Sequence, residues 1–178
     1  MKPWSKTLCL VIAAGACHPA FALIQTAPDS EIFITGVGTA QVNDNLFLSR
    51  NNRKTDTVFD LEPGAEWDFG KNSVNTGKLS VGDDFQIFDR DSGLNTNLPM
   101  ASLTDAYDGE KTKLNLNANY QKLDQATRDA RLVGTLVKRD WYHADATGEF
   151  AFSDKTSFSL GGIYDDTQYH QAGLEDWR

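Results

Sequence analysis

Apolar and polar side chains alternate in short segments along much of the chain. In residues 141–152, Tyr142, Phe150 and Phe152 share one set of alternating positions with small residues, and the other set is largely polar. Because successive side chains of a β-strand point to opposite faces, this alternation predicts strands with one apolar and one polar face. The pattern predicts seven strands, at residues 32–40, 57–69, 78–88, 100–107, 113–120, 141–152 and 156–164.

Three positions fit this pattern poorly. Asp83 and Asp105 fall among the apolar residues of their strands, and Pro63 lies inside the predicted strand 57–69. Proline has no N–H group to donate to a neighbouring strand, so we expect a bulge at Pro63.

The predicted connections alternate in length. Short turns are expected at residues 70–73, 108–110 and 153–155, and longer polar loops at residues 43–54, 89–97 and 123–138. An up-and-down barrel that crosses the outer membrane has short periplasmic turns and longer external loops. The order of the connections therefore favours an all-β fold, an antiparallel up-and-down transmembrane β-barrel of the bacterial outer membrane.

The strand ends support a membrane location. A sheet can cross the bilayer core only when it closes into a barrel, with strands of about 9–11 residues. Aromatic residues, among them Tyr120, Phe152 and Tyr164, lie near the strand ends, where such rings settle at a membrane interface. A soluble antiparallel sheet with one wet face explains the alternation, but not the aromatic ends and the sorted loops together.

The start of the chain has the composition of a secretory signal peptide. Lys2 and Lys6 precede the apolar run 7–17, which is too short to span a bilayer, and residues 20–22 have the small-x-small pattern of a cleavage site. We expect cleavage after Ala22 and export of the protein.

This prediction divides the chain into a signal peptide at residues 1–22 and a barrel domain at residues 23–178. An alternative is a lipoprotein signal in which Cys17 is acylated, although the residues before it lack the usual leucine. Beyond the signal no stretch of 18 apolar residues occurs, so a transmembrane helix is not predicted.

Composition then excludes several classes of chemistry. Cys9 and Cys17 are the two cysteines of the chain and both lie in the predicted signal, so we expect neither disulfides nor thiol chemistry in the mature protein. Loss of Lys2 and Lys6 leaves 15 basic and 25 acidic side chains. Nucleic-acid binding is not expected, because it needs a basic face.

The polar faces would line a lumen if they point inward. Carboxylates favour cations, and amides form hydrogen bonds with water or sugars. The alternative is that these side chains only pair with neighbours such as Lys78 and Lys113 or face solvent. The candidate lumen-lining residues are Asp60, Glu62, Glu66, Asp68, Asn115, Asn117, Asn119, His143, Asp145 and Glu149.

Metal and catalytic sites find little support. The acidic residues at 83–84 and 89–91 lack the glycine and the late glutamate of an EF-hand calcium loop. His143 and His170 lie on different elements without a nearby nitrogen or sulfur ligand, so no zinc site is expected. No nucleophile elbow marks a hydrolase. We therefore expect no catalytic residue, no metal, no cofactor and no enzyme activity.

A basic cluster occupies the last long loop and its flanks. Such a cluster can contact anionic lipopolysaccharide or polysaccharide, although a solvated charged loop at the membrane boundary is the interpretation we favour. Outer-membrane lipid is the expected partner, with lipopolysaccharide or exopolysaccharide as further candidates. The cluster comprises Lys122, Arg128, Arg131, Lys138 and Arg139.

Four longer segments resemble one protein family. They are VNDNLFLS, TDTVFDLEPGAEWDFG, LDQATRDARLVGTLVKRDWYHADATGEF and SDKTSFSLGGIYDDTQY. Together with their turn positions they resemble the β-barrel porin 2 family, outer-membrane barrels described as exopolysaccharide-cluster proteins. The Asn43-Asp44-Asn45 turn before residues 46–48 looks like the opening motif of that family. The likeness covers about residues 32–178; it implies an outer-membrane barrel and transfers no functional residue.

The resemblance also implies an incomplete barrel. Members of the family are usually considerably longer, so the chain looks like their N-terminal part. Bacterial barrels use an even number of strands, whereas about seven are predicted here. The sequence ends in Trp177-Arg178 rather than in a strand with a terminal phenylalanine.

Three functions are consistent with the sequence. We expect a porin that lets small polar solutes or saccharides cross the outer membrane. A non-conducting structural or adhesive barrel and a soluble secreted carbohydrate-binding β-protein are the alternatives.

Overall fold

The structure, a computed structural model, describes residues 21–49, 53–126 and 136–170 and is all-β. It contains no α-helix among these residues, and none of its helical segments is long and apolar enough to cross a membrane. The strands are β1 Phe21–Ala27, β2 Ser30–Asn43, β3 Asp56–Phe69, β4 Asn75–Phe88, β5 Thr96–Asp108, β6 Thr112–Ala126, β7 Leu136–Ser153 and β8 Thr156–Tyr169, with a short 3-10 turn at Ser92–Leu94.

All eight strands form one sheet in which each strand is antiparallel to the next in the sequence. The up-and-down arrangement was therefore predicted correctly, but seven strands was wrong. The missing strand is β1, whose residues overlap the end of the predicted signal peptide. β1 and β8 lie at opposite edges and do not pair with each other, so the sheet is open.

The predicted signal peptide lies mostly outside the described residues, which begin at Phe21. Phe21 and Ala22, on the N-terminal side of the expected cleavage point, lie in β1 opposite Ile34 and Phe33. Cleavage after Ala22 stays a prediction, and it would remove these two residues from β1.

The bulge expected at Pro63 is absent. Pro63 lies opposite Gly36, and the register between β2 and β3 runs through it without a shift. The register between β3 and β4 is also the same on both sides of Pro63, although the pairs of Glu62 and Pro63 with β4 are missing. The lack of a proline N–H therefore interrupts pairing locally without inserting a residue.

The loop expected at residues 123–138 is shorter than predicted. β6 continues to Ala126 and β7 begins at Leu136, and Asp124 lies opposite Lys138 in an unbroken ladder. The polar composition of these strand ends resembled a loop in the sequence, but the ladder of backbone hydrogen bonds extends through them. Residues 127–135 lie outside the described part of the chain.

The connections are sorted by length between the two ends of the sheet. At one end, residues 28–29, 70–74, 109–111 and 154–155 link the strands; at the other, the links are residues 44–55, 89–95 and 127–135. We call these the short-turn end and the long-loop end. Gly70 opens the turn to β4 with φ +71°, a conformation that glycine adopts without strain, and a Cβ there would collide with the carbonyl oxygen of Asn75.

Strand register assigns nearly all large exposed apolar side chains to one face of the sheet. Phe59 lies opposite Ile87, Leu103 opposite Ala118, and Phe150 opposite Phe158. Of the exposed large apolar side chains within strands, all but Ile163 share this side, which we call the apolar face.

The opposite side, the polar face, is concave. A hollow of about 270 Å³ on this side is lined by residues of β2, including Thr35, and reaches Trp141 on β7. One hollow can touch both strands only if the sheet curls around it. The apolar face is therefore the convex outer side.

Buried apolar packing is limited. Among the described residues, the buried apolar side chains are Leu46, Val58, Phe88, Leu98 and Val137. Leu46, Val58 and Phe88 form one cluster at the long-loop end. The sheet thus has no second layer among these residues to cover its apolar face, unlike the two-layer architecture of a soluble β-sandwich.

Candidate functional site

All ten side chains predicted to line a lumen belong to the polar face. Register assigns them to two groups separated by β4 and β5. The group on β3 is acidic and consists of Asp60, Glu62, Glu66 and Asp68. The group on β6 and β7 consists of Asn115, Asn117, Asn119, His143, Asp145 and Glu149.

On β3, side chains of the neighbouring strands contact the acids. Thr39 Oγ1 donates to Asp60 Oδ2 at 3.0 Å, and Asp60 is only 8% exposed. Its other carboxylate oxygen is buried without a hydrogen-bond partner. Lys78 Nζ lies 2.7 Å from Glu66 Oε1 and 3.6 Å from Asp68 Oδ1. One lysine therefore contacts two of the four acids and balances one of their four negative charges.

Four members of the group on β6 and β7, Asn117, Asn119, His143 and Asp145, form a continuous hydrogen-bond network. Asn119 Nδ2 donates to Asn117 Oδ1 at 3.1 Å, and Asn117 Nδ2 donates to Asp145 Oδ1 at 2.9 Å. The ring nitrogens of His143 lie 3.3 Å from Asp145 and 2.7 Å from Asp165. These hydrogen bonds hold the four side chains in defined positions on the polar face.

Three polar-face residues were missed by sequence reasoning. Asp84 continues the polar set of β4, and the alternation of residues 78–88 could have identified it. Asp165 was missed because the predicted strand 156–164 ends five residues before the end of β8. Trp141, on the polar face, stacks on His143 with ring centroids 5.6 Å apart and borders the hollow.

One of the two lysine pairings considered from the sequence is not formed. Lys113 pairs with Asp108 at 3.2 Å rather than with a candidate lumen residue. Asp83 and Asp84 point to opposite faces as neighbours in one strand, and Asp83 accepts a hydrogen bond from Asn97. Within the described ranges, no group of three or more His, Cys, Asp or Glu residues could hold a metal ion.

Where the structure describes the predicted basic cluster, its two lysines lie beside acids. Lys138 lies 3.8 Å from Asp124, and Lys122 lies opposite Asp140 in the ladder. Arg139 donates to Gln125 at 3.2 Å. Arg128 and Arg131 lie outside the described residues.

The apolar face has a sharp boundary towards the long-loop end. Tyr120 and Tyr142 lie side by side with ring centroids 5.1 Å apart, and the Tyr120 hydroxyl donates to Asp140 at 3.3 Å. Beyond this pair the same side of β6 and β7 carries charged residues, including Lys122 and Lys138.

Towards the short-turn end, aromatic residues again mark the apolar face. Trp67 packs against Phe69 with ring centroids 4.9 Å apart, and Phe150 against Phe152 at 5.1 Å. The indole N–H of Trp67 donates to Ser30 Oγ at 2.6 Å. Its one polar group is thus satisfied within the protein, which permits burial of the ring in an apolar medium.

Asp56 joins two loops at the long-loop end, outside the apolar face. Its carboxylate, 1% exposed, accepts hydrogen bonds from the backbone N–H groups of Thr57, Arg90 and Asp91 at 2.7, 3.0 and 2.9 Å. Burial by itself raises the pKa of Asp56, but the donated backbone hydrogen bonds outweigh burial and the pKa lies below its ordinary value.

No family model, no curated protein and no solved structure matches the chain. The resemblance to the β-barrel porin 2 family therefore stays a prediction from the sequence segments.

Proposed function

We propose that the chain forms part of an outer-membrane β-barrel whose polar face lines a pore for small polar solutes. The observation that carries this proposal is the segregation of exposed side chains. Leu61, Leu116 and Leu160 on the apolar face are 50%, 40% and 70% exposed, and described residues provide no cover for them. Contact of such a surface with lipid chains has no unfavourable free energy, whereas its contact with water is unfavourable.

The height of the apolar face fits a bilayer. On β7 the face runs from Tyr142 to Phe152, a rise of about 34 Å along a strand at ~3.4 Å per residue. At a tilt of about 45°, this corresponds to about 24 Å across the membrane, close to the ~25 Å apolar band of outer-membrane barrels. The aromatic residues at both limits support the same placement.

The polar face favours cations in this proposal. The acids of β3 outnumber the bases near them, because Lys78 is the one lysine among the described residues that contacts the four carboxylates of this strand. A wall with excess carboxylate attracts cations and repels anions. Amides such as Asn117 and Asn119 offer hydrogen bonds to uncharged polar solutes, sugars included.

The eight described strands do not close a barrel, because β1 and β8 lie at opposite edges of the sheet and do not pair with each other. Unpaired backbone N–H and C=O groups are costly in a bilayer. We infer that the free edge of β8 pairs with a further strand.

A non-conducting structural barrel is the second candidate. The side-chain network of Asn117, Asn119, His143 and Asp145 supports it, because paired side chains can fill a lumen.

Fractionation and conductance together test the proposal. The protein should be recovered with outer membranes, require detergent for extraction, and produce ion channels in planar bilayers with a preference for K⁺ over Cl⁻. Recovery from the soluble periplasm without detergent would defeat both barrel functions. Membrane recovery without any channel would favour the structural barrel.

A further inference from the structure

The loop between β2 and β3 turns inward at the long-loop end. Leu46, only 6% exposed, packs with Val58 and Phe88 in a buried cluster. Val58 and Phe88 lie opposite each other on the polar face. The loop therefore places an apolar side chain over an apolar patch of the polar face.

Local hydrogen bonds hold the loop in this position. The Asn45 side chain accepts from the Ser49 N–H at 2.9 Å and donates to the Ser49 carbonyl at 3.1 Å. The Leu46 N–H donates to the Lys54 carbonyl at 2.9 Å. Leu48, next to this cluster, has φ 52° and is 40% exposed. One leucine of the loop is thus directed inward and the other outward.

A second connection is tied to the first. Asp56 accepts the N–H groups of Arg90 and Asp91, and Lys54 Nζ lies 3.2 Å from Asp91 Oδ1. The side chain of Asn95 accepts the N–H of Phe88 at 2.9 Å. These bonds join the β2–β3 and β4–β5 connections into one cap.

The cluster extends across the curved sheet. Phe47 and Leu94 pack against it, and so does Leu136, the first residue of β7. β7 lies four strands along from β3 in the sheet. Residues of β3, β4 and β7 therefore meet in this cluster at the long-loop end.

We propose that this cluster is the apolar constriction that limits passage through the long-loop end of the pore, with Leu46 as the residue that the β2–β3 connection contributes to it. The proposal rests on the pore function proposed above. Hydrophobic constrictions restrict ions because water leaves a narrow apolar passage readily. The acids of the polar face then select for cations, whereas the apolar cluster limits the rate at which ions pass.

Conductance of the whole protein, extracted from membranes in detergent, tests this assignment. Leu46→Asn places an amide in the cluster and should raise single-channel conductance in KCl by about two-fold or more. Leu48→Asn is the matched control, since it changes an exposed leucine of the same loop, and should conduct like the wild type. Leu46→Met keeps the cluster apolar and should also match the wild type.

Thiol labelling reports the position of the loop without relying on conductance. In the intact protein with Cys9 and Cys17 replaced by serine, Leu46→Cys should react slowly with a water-soluble maleimide and Leu48→Cys rapidly. Equal, rapid labelling at both positions would overturn the inward placement of Leu46.

The outcomes separate the constriction from the pore. Unchanged conductance in Leu46→Asn, or an equal rise in Leu46→Asn and Leu48→Asn, would overturn the constriction and leave the pore function standing. Absence of channels in every variant would overturn the pore function, and the constriction with it.

Discussion

The same strands form both faces of the sheet, but one face exposes apolar side chains and the other carries polar side chains that bond to one another. On β6, Leu114 and Leu116 project from the convex side, where they are 50% and 40% exposed, and the intervening Asn115 and the next residue, Asn117, project from the concave side. On the concave side the asparagines are linked by hydrogen bonds, whereas the convex leucines have no partner layer among the described residues. A water-soluble sheet buries its apolar face. In this sheet no described residue covers the apolar face, and the polar face lies on the concave side.

A charge placed on the convex face should give the largest effect. In the proposed outer-membrane barrel, Leu116→Arg is expected to destabilise the protein by about 2–4 kcal/mol, because a guanidinium near the bilayer midplane loses its hydration. Asn117→Arg, one residue along the strand on the concave face, is the matched control, and its cost should stay near 1 kcal/mol. Urea unfolding in lipid vesicles measures both; equal destabilisation would remove the distinction between the faces.

Loss of the Asp56 carboxylate should loosen the cap at the long-loop end. Asp56→Asn weakens three hydrogen bonds to backbone N–H groups, at a cost of about 1–3 kcal/mol. Trypsin should then cleave more rapidly after Arg53 and Lys54 in the β2–β3 connection. Asp91→Asn, which removes the Lys54 ion pair alone, should have the smaller effect. An uncleaved Asp56→Asn variant would contradict the role of this carboxylate.

The same carboxylate gives the cap a defined pH dependence. Because the folded pKa of Asp56 is lower than 3.8, its contribution is present above about pH 4 and is lost as pH falls through the lowered value. Hydrogen exchange of the Arg90 and Asp91 amides should accelerate below this range relative to the intrinsic exchange rate. In the Asp56→Asn variant, the protection of these two amides from hydrogen exchange should not change as the pH falls through this range.

A change in concave charge should alter selectivity and leave stability nearly unchanged. Lys78→Met removes the cation between Glu66 and Asp68 and should raise the permeability ratio of K⁺ to Cl⁻ by about two-fold. Glu66→Gln should shift the ratio in the opposite direction. Lys155→Met, in the turn before β8, is a control at the end of the sheet. Reversal potentials in a salt gradient measure the permeability ratio of all three variants. Identical reversal potentials would show that the charges of the polar face do not determine ion selectivity.

The smallest effect is expected at the aromatic limit of the convex face. Trp67→Phe keeps an aromatic ring but loses the hydrogen bond to Ser30, which should cost about 0.5–1.5 kcal/mol. Ser30→Ala removes the acceptor and leaves the indole N–H unpaired, so it should cost at least as much. A Ser30→Ala variant as stable as the wild type would show that this bond contributes nothing to the sheet edge.

Period-two alternation predicted the strands and their faces because each choice depends only on neighbouring residues. The candidate residues Asn117 and Asp145 were assigned to the correct face for that reason. Their mutual hydrogen bond depends on register between β6 and β7, which alternation alone does not determine.

Features set by distant contacts were beyond the sequence pattern. Leu46 lies in a polar connection, and its burial depends on Val58 and Phe88, which follow 12 and 42 residues later. β1 was hidden because its residues also fit the end of a signal peptide. The extension of β6 to Ala126 was missed because charged strand ends and loops have the same composition.

Fluorescence quenching of two tryptophans tests the orientation of the faces most directly. Trp67 lies on the convex face and Trp141 on the concave face. Trp4 lies in the predicted signal peptide, so replacement of Trp177 and of either Trp67 or Trp141 by phenylalanine leaves a single tryptophan in the mature protein. In vesicles, brominated lipid chains should quench Trp67 and leave Trp141 nearly unaffected, while aqueous iodide should show the reverse preference. Quenching of Trp67 by iodide but not by brominated lipid would contradict an outer-membrane barrel.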